Sequence, residues 1–251
     1  MPPRTTQIPG VERMKSLDPR QAIPRLHSYV RATILDGTLP PGTKISQASL
    51  AQQLGVSRTP LREVLRMLQE EGLVEFSPNK RMRVAGFDPD DLDSDYACRL
   101  LLESMALSIT VPKFTDKLKR QAEAALTGMW RATETGTNKR WFESHRKFHE
   151  LLTSGAPDSV QRQLRSYSDR STRYLKIYQT DPHEWQVARH PEHEAILDAA
   201  AAGSMDEAVT LLAQHLATAA TFVLEHSSPD FTPSAVPCAL AMASREAAAA
   251  V

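Results

Sequence analysis

Cysteine is nearly absent from this chain of 251 residues: there are two, Cys98 and Cys238, far apart and without ligand-like spacing. That excludes a disulfide framework and a cysteine-built zinc module, and it places the expectation in a reducing, cytoplasmic compartment. Aromatic residues are only 6% of the chain, which leaves Leu and Ala to do most of the packing. No apolar run approaches the ~20 residues that a membrane span needs. The first twenty residues carry four prolines and no hydrophobic stretch of the secretory kind, so they are expected to form a flexible arm. Internal repeats and phosphate-cradling glycine loops are also missing. Charge of one sign is missing overall, because 30 Lys+Arg balance 30 Asp+Glu. The balance hides an asymmetry: residues 1–86 hold 13 basic and 7 acidic residues (+6), and residues 87–251 hold 17 and 23 (−6). A basic first third suits a polyanionic partner, and an acidic remainder does not.

What is present begins with "GVSRTPLREVLRMLQEEGLV" at 55–74. Pro60 fits a first helical turn, where its missing N–H costs little, and Ser57 or Thr59 can cap that turn. Leu61, Val64, Leu65 and Leu68 repeat at helical spacing and belong to a core. Arg58, Arg62 and Arg66 line up on one face, and Gly72 ends the helix. Upstream, a helix is expected at about 23–35, a loop over 36–43 and a short helix over 46–55 stopped by Gly55. Downstream, "LVEFS" and "RMRVAG" read as a hairpin around "PNK".

From "FDPDDLDSD" onwards the pattern is helical almost throughout, at about 90–110, 114–133, 139–154, 158–178, 187–202 and 205–226. The expected organisation is an arm over 1–20, a winged helix-turn-helix over 21–86, an all-helical domain over 87–228 and a disordered tail over 229–251. The fold class is therefore mainly α: a winged helix-turn-helix followed by a helical bundle. In such a unit the N-terminal end of the second helix enters the major groove. Ser57 and Thr59 with first-turn N–H groups suit phosphates, while Arg58 and Arg62 reach guanine O6/N7, each contributing roughly 1–3 kcal/mol of discrimination. Lys80, Arg81 and Arg83 in the wing would follow phosphates or the minor groove.

The stretch "ILDGTLPPGTKI" followed by "LAQQLGVSRTPLREVLRMLQEEGLV" resembles, in order and spacing, the DNA-binding domain of the GntR family of bacterial transcription regulators. The resemblance covers about residues 21–86 and implies DNA contacts by Ser57, Arg58, Thr59 and Arg62, helped by the wing tip. Arg66, on the same face, is added to that set. The family's wing-turn glycine is replaced by Arg81 in "NKR".

The second region directs histidines inward. His145 and His149 in "WFESHRKFHELL" share a face with Phe142, Phe148 and Leu152; His193 lies on the apolar side of "PEHEAILDAA"; His215 falls in the stripe of Leu211, Leu212, Ala219 and Phe222. Singly, each reads as a satisfied core residue; together, converging imidazoles read as a metal site. "CRLLLESMAL", "FHELL" and "EHEAILDAAAAGSMDEAV" resemble the FCD effector domain of the FadR-type subgroup. That resemblance implies metal ligands at His149, His193 and His215, with His145 standing where the family has an aspartate. A fourth neutral ligand favours zinc, or nickel. Arg99 has two readings. It is an intrahelical partner of Glu103, or, by resemblance, an effector-binding residue facing a ligand cavity.

The function expected is a homodimeric, non-enzymatic, ligand-responsive transcription regulator, a repressor in its simplest form. It would bind a palindromic operator in double-stranded DNA and a small carboxylate metabolite through a divalent metal. Two alternatives stand beside it: the same regulator with a metal-free helical domain, and a helical metalloenzyme.

Overall fold

The computed structural model describes residues 8–14, 21–76, 82–178 and 181–249, which form two compact units, Met1–Phe87 and Asp88–Val251. In the first unit, α1 is Ala22–Leu35, β1 Lys44–Ile45, α2 Gln47–Leu54, α3 Arg58–Glu70, β2 Val74–Phe76 and β3 Met82–Val84. Ser46 caps α2 by accepting from the Ser49 N–H, and Gly55 ends it in the left-handed region at φ 72°. Pro60 sits in the first turn of α3, whose Leu61, Val64, Leu65 and Leu68 are fully buried. The strands make a three-stranded antiparallel sheet of order β1-β3-β2, with Val74 opposite Val84 and Phe76 opposite Met82. The third strand, β1, is too short for its alternation to be read from sequence. Glu71, just past α3, accepts from the Arg31 guanidinium at 2.7 Å and pairs with His27 at 2.5 Å, tying α1 to the end of α3.

The expectation of a flexible arm is corrected for residues 8–14. Val11 is buried in the core of this unit, with Ile8 and Met14 packed beside it. Three apolar residues spaced by three supply an adhesive face that the prolines obscure in the sequence. Gln53 satisfies the segment's backbone: its Oε1 accepts from the Ile8 N–H and its Nε2 donates to the Ile8 and Val11 carbonyls. The Met14 N–H donates to the Leu54 carbonyl at 3.0 Å, and the Glu12 N–H to the Tyr29 hydroxyl at 2.8 Å.

The second unit is a helical bundle: α4 Pro89–Thr110, a 3₁₀ turn Val111–Lys113, α5 Asp116–Glu134, α6 Asn138–Leu152, α7 Asp158–Tyr178, α8 Pro182–Ala201, α9 Met205–Ser227 and α10 Ala235–Ala249. Asp88 caps α4 through the Asp90 and Asp91 N–H groups, and Thr115 caps α5. Asp181 caps α8 and Pro182 follows it, so α8 starts five residues before the expected 187 and carries Pro191 inside it. Among the described residues α9 alone is long and apolar enough to cross a membrane, but most of it is buried against its neighbours.

The disordered tail expected over 229–251 is also corrected. Residues 235–249 are helical, and α10 packs against α4 and α9. Val236, Ala239 and Ala243, at spacings of three and four, are buried. Asp93 anchors the helix start: its Oδ2 accepts from the Ser234 and Ala235 N–H groups at 2.8 and 2.7 Å, and its Oδ1 from Val236 at 2.9 Å. That carboxylate lies more than 140 residues away in sequence, out of reach of any local pattern.

Candidate DNA-binding surface and metal centre

Helices α2 and α3 with the Gly55 turn form the helix-turn-helix, and β2–β3 follow as the wing. Ser57 stands at the N-cap of α3 with extended backbone and no capping hydrogen bond from its side chain, so its hydroxyl is available to a ligand. Ser57, Arg58, Thr59 and Arg62 are all exposed. Arg66 shares their face but is held by its own helix: Nη2 donates to Glu63 at 2.8 Å and Nη1 to Glu70. Arg83 is likewise paired, with Glu75 at 3.0 Å. Lys80 and Arg81 lie outside the described residues.

In the second unit the structure brings His145 and His149 of α6, His193 of α8 and His215 of α9 together. All four are buried, and one nitrogen of each lies within 4.8 Å of those of the others. Ring centroids are 4.6 Å apart for His145–His149 and 4.4 Å for His193–His215. Trp141 stacks on His145 at 4.7 Å and holds its plane. Three of the rings are aimed by bonds to Nδ1. His149 Nδ1 donates to Glu103 Oε2 at 2.7 Å, His193 Nδ1 to the Arg189 carbonyl at 2.9 Å and His215 Nδ1 to Glu192 Oε2 at 2.9 Å. Anchored Nδ1 atoms turn Nε2 towards the centre, the arrangement by which outer partners orient metal-binding imidazoles. The Nε2 atoms of His145, His149 and His193 are buried without any hydrogen-bond partner. An apolar core does not leave three such atoms facing one point, because each unsatisfied polar atom costs about 1–3 kcal/mol. The residues present therefore fit a divalent metal.

Burial, reinforced by the neighbouring imidazoles, pushes His145, His193 and His215 well below the usual histidine range and keeps them in the neutral form that coordinates metals. Burial alone would raise the Glu103 carboxyl, but Arg99 and His149 outweigh it and bring it down to about 2. Arg99 is itself buried: its Nε donates to Glu103 Oε1 at 2.5 Å and its Nη1 to Ser171 Oγ at 3.2 Å. Of the two readings of Arg99, this geometry is the pair with Glu103. The side chain holds the carboxylate that aims His149.

A half-open surface pocket adjoins the centre, lined by Glu103 and His149 on its inner side and including Thr153, Gln161, Arg146 and Arg165; Arg99 is not among its lining residues. Sequence reasoning missed Arg146 and Arg165, which lie on exposed helix faces, and the second partners Arg189 and Glu192. Glu192 had a readable signal, since it adjoins His193 in "PEHEAIL".

Comparison with known proteins agrees with both halves. Residues 23–84 match the model of the bacterial regulatory proteins of the gntR family, and residues 95–218 match that of the FCD domain. An HTH-type transcriptional regulator encoded in the TAR-I ttuE-ttuC' intergenic region of Agrobacterium vitis is 32% identical over 133 residues, covering 51% of this chain and 76% of that one. Bacillus subtilis (strain 168) YdhC, an HTH-type transcriptional regulator by name, is 29% identical over 129 residues, 51% of this chain and 58% of its own length. The chain thus spans little more than half of that relative. The HTH-type transcriptional repressor RspR of Escherichia coli (strain K12) is 23% identical over 222 residues, 86% of this chain and 96% of that one. In fold, the crystal structure of a GntR-type regulator from Rhodococcus sp. RHA1 superposes with a TM-score of 0.71 at 24% identity, covering 84% of this chain and 99% of that one. The relatives are regulators rather than enzymes, and this chain belongs to the GntR family of DNA-binding transcription regulators, with an FCD domain as its second unit.

Proposed function

We propose that the chain is a cytoplasmic homodimeric repressor that reads a palindromic operator and is released or retained by a small carboxylate metabolite at a metal-loaded FCD domain. The observation that carries this reading is the set of three orphaned, buried Nε2 atoms facing one another in the unit joined to the helix-turn-helix. His145, His149, His193 and His215 hold the metal. Four neutral nitrogen donors suit zinc first and nickel next, since imidazole favours these over the hard, oxygen-seeking ions. When bound, the metal supplies positive charge and coordination positions to a carboxylate.

The chain's own residues do the rest. Glu103 and Glu192 fix the tautomers of His149 and His215, and Arg99 holds Glu103 in place. Arg165 and Arg146, the latter also 3.9 Å from the Asp169 carboxylate, line the pocket, attract the anion and orient it. Three helices contribute ligands, so occupancy couples α6, α8 and α9 and alters the arrangement that sets the spacing of two DNA-binding units in the dimer. In the first unit, Ser57, Arg58, Thr59 and Arg62 face the duplex, and Arg66, neutralised by Glu63 and Glu70, stays peripheral.

The test is metal analysis of protein purified without chelator, followed by DNA-binding titrations with a panel of small carboxylates, with and without EDTA. The reading expects about one zinc or nickel per chain and a carboxylate response that EDTA abolishes. Protein without metal, and with a carboxylate response indifferent to added zinc, would overturn the metal-centred part.

A further inference from the structure

Residues 8–14 precede the matched family region, which begins at 23, yet they are built into the first unit by Val11 and by the bonds to Gln53, Leu54 and Tyr29. Arg13 lies between two of these anchors. Its side chain runs flat across Gly55: a Cβ placed on that glycine would come within 2.7 Å of Arg13 Nε, 3.1 Å of Cγ and 3.4 Å of Cδ. Gly55 is the turn of the helix-turn-helix, two residues before Ser57. Consecutive Cα atoms are about 3.8 Å apart, so the seat of Arg13 lies within about 7.6 Å of the Ser57 backbone.

The ion pairs of the unit sort its cations into two groups. Arg31, Arg66 and Arg83 have carboxylate partners. Arg13, Arg25, Lys44, Arg58 and Arg62 form no ion pair among the described residues, and all five are exposed; of these, Arg13 is the one laid against Gly55 of the turn. An unpaired arginine laid along the backbone of a turn, when acids are available elsewhere in the unit, has a position without a partner inside the protein. We propose that Arg13 is a DNA-backbone contact: it extends the phosphate-binding edge of the helix-turn-helix beyond α3, and the 8–14 segment is the strap that places it there. Gly55 then has two duties, the left-handed turn and the bare surface on which Arg13 rests. The contact is to phosphate and carries no sequence preference. This inference rests on the reading that the N-terminal end of α3 enters the duplex.

The experiment measures binding of the full chain to a fluorescent 30-base-pair duplex of random sequence over a range of salt concentrations, for the wild type, Arg13→Ala, Arg13→Lys and Arg58→Ala. Each phosphate contact contributes about 0.9 to the slope of log K against log salt. Arg13→Ala is expected to lower that slope by about 0.9 for each protomer engaged. That is about eight-fold in affinity at 0.1 M salt per protomer, if the lines meet at 1 M. Arg13→Lys is expected to restore the slope, which a purely structural role of the arginine would not predict. An unchanged slope in Arg13→Ala, with Arg58→Ala losing discrimination between operator and random duplex, overturns the Arg13 contact alone. If Arg58→Ala keeps that discrimination as well, the placement of α3 on the duplex fails with it.

Discussion

Individual arginines in the first unit differ in what already holds them. Arg58 and Arg62 have no acidic partner among the described residues, whereas Arg66 is tied to both Glu63 and Glu70. These pairs are on an exposed face and contribute little to stability, but they neutralise the charge that a phosphate would need. Arg58→Ala and Arg62→Ala are expected to cost roughly 1–3 kcal/mol each in discrimination between operator and random duplex. Arg66→Ala is expected to leave that discrimination unchanged in the same competition assay. A loss in Arg66→Ala equal to that in Arg58→Ala would show that the helix's own acids do not occupy it. In the second unit, His145 shares a helix with His149, while His149, His193 and His215 come from three helices. His145→Ala is therefore expected to weaken zinc binding less than His149→Ala, His193→Ala or His215→Ala does. His145→Asp is expected to bind at least as tightly as the wild type, because a carboxylate adds charge. Competitive titration against a zinc chelator ranks the five variants against the wild type, and equal affinity in all six proteins would return the histidines to the role of core residues.

Helices were legible where a local pattern made them. The inner face of α3 was written as Leu61, Val64, Leu65 and Leu68, and all four are buried. The inward turn of the four histidines was equally readable, because a stripe at helical spacing fixes direction before tertiary structure is known. What escaped was held by distant partners. α10 reads as an Ala-rich, low-information tail until Asp93 is seen beneath its first N–H groups and α4 and α9 beneath Val236, Ala239 and Ala243. Spacing leaves Arg99 between a pair with Glu103 and an effector contact, and it cannot reveal that the pair is buried against His149. Asp93→Ala should show what this long-range anchor is worth. It removes the acceptor for three N–H groups at once, so it is expected to destabilise the second unit by at least the ~1–2 kcal/mol of an ordinary helix cap. Urea unfolding followed by circular dichroism measures this, and a shift under a few tenths of a kcal/mol would mean that α10 is held by its apolar face alone.

At the scale of the whole molecule, the two units bury their titratable groups differently. The first contains one histidine, His27, which is only part-buried, whereas the second buries four at a single point. Burial, with mutual repulsion among the imidazoles, lowers His145, His193 and His215 in the folded unit. In the unfolded chain they titrate near ~6.5. Below that value the unfolded chain binds protons that the folded one refuses, so the stability they contribute is complete above about 6.5 and drains away as the pH falls further. A metal at the centre binds only the folded unit with its imidazoles neutral, and it adds stability by mass action. Two unfolding transitions are therefore expected in urea, followed by circular dichroism in EDTA. One is that of Met1–Phe87, which contains none of the four clustered histidines. The other, that of Asp88–Val251, moves to lower urea as the pH falls from about 7 to about 5.5. Excess zinc at pH 7 should raise the second midpoint and leave the first in place. Should the second midpoint ignore both pH and zinc, His145, His193 and His215 are not kept neutral by burial and the four histidines are not joined by a metal, and the coupling of α6, α8 and α9 has no physical carrier.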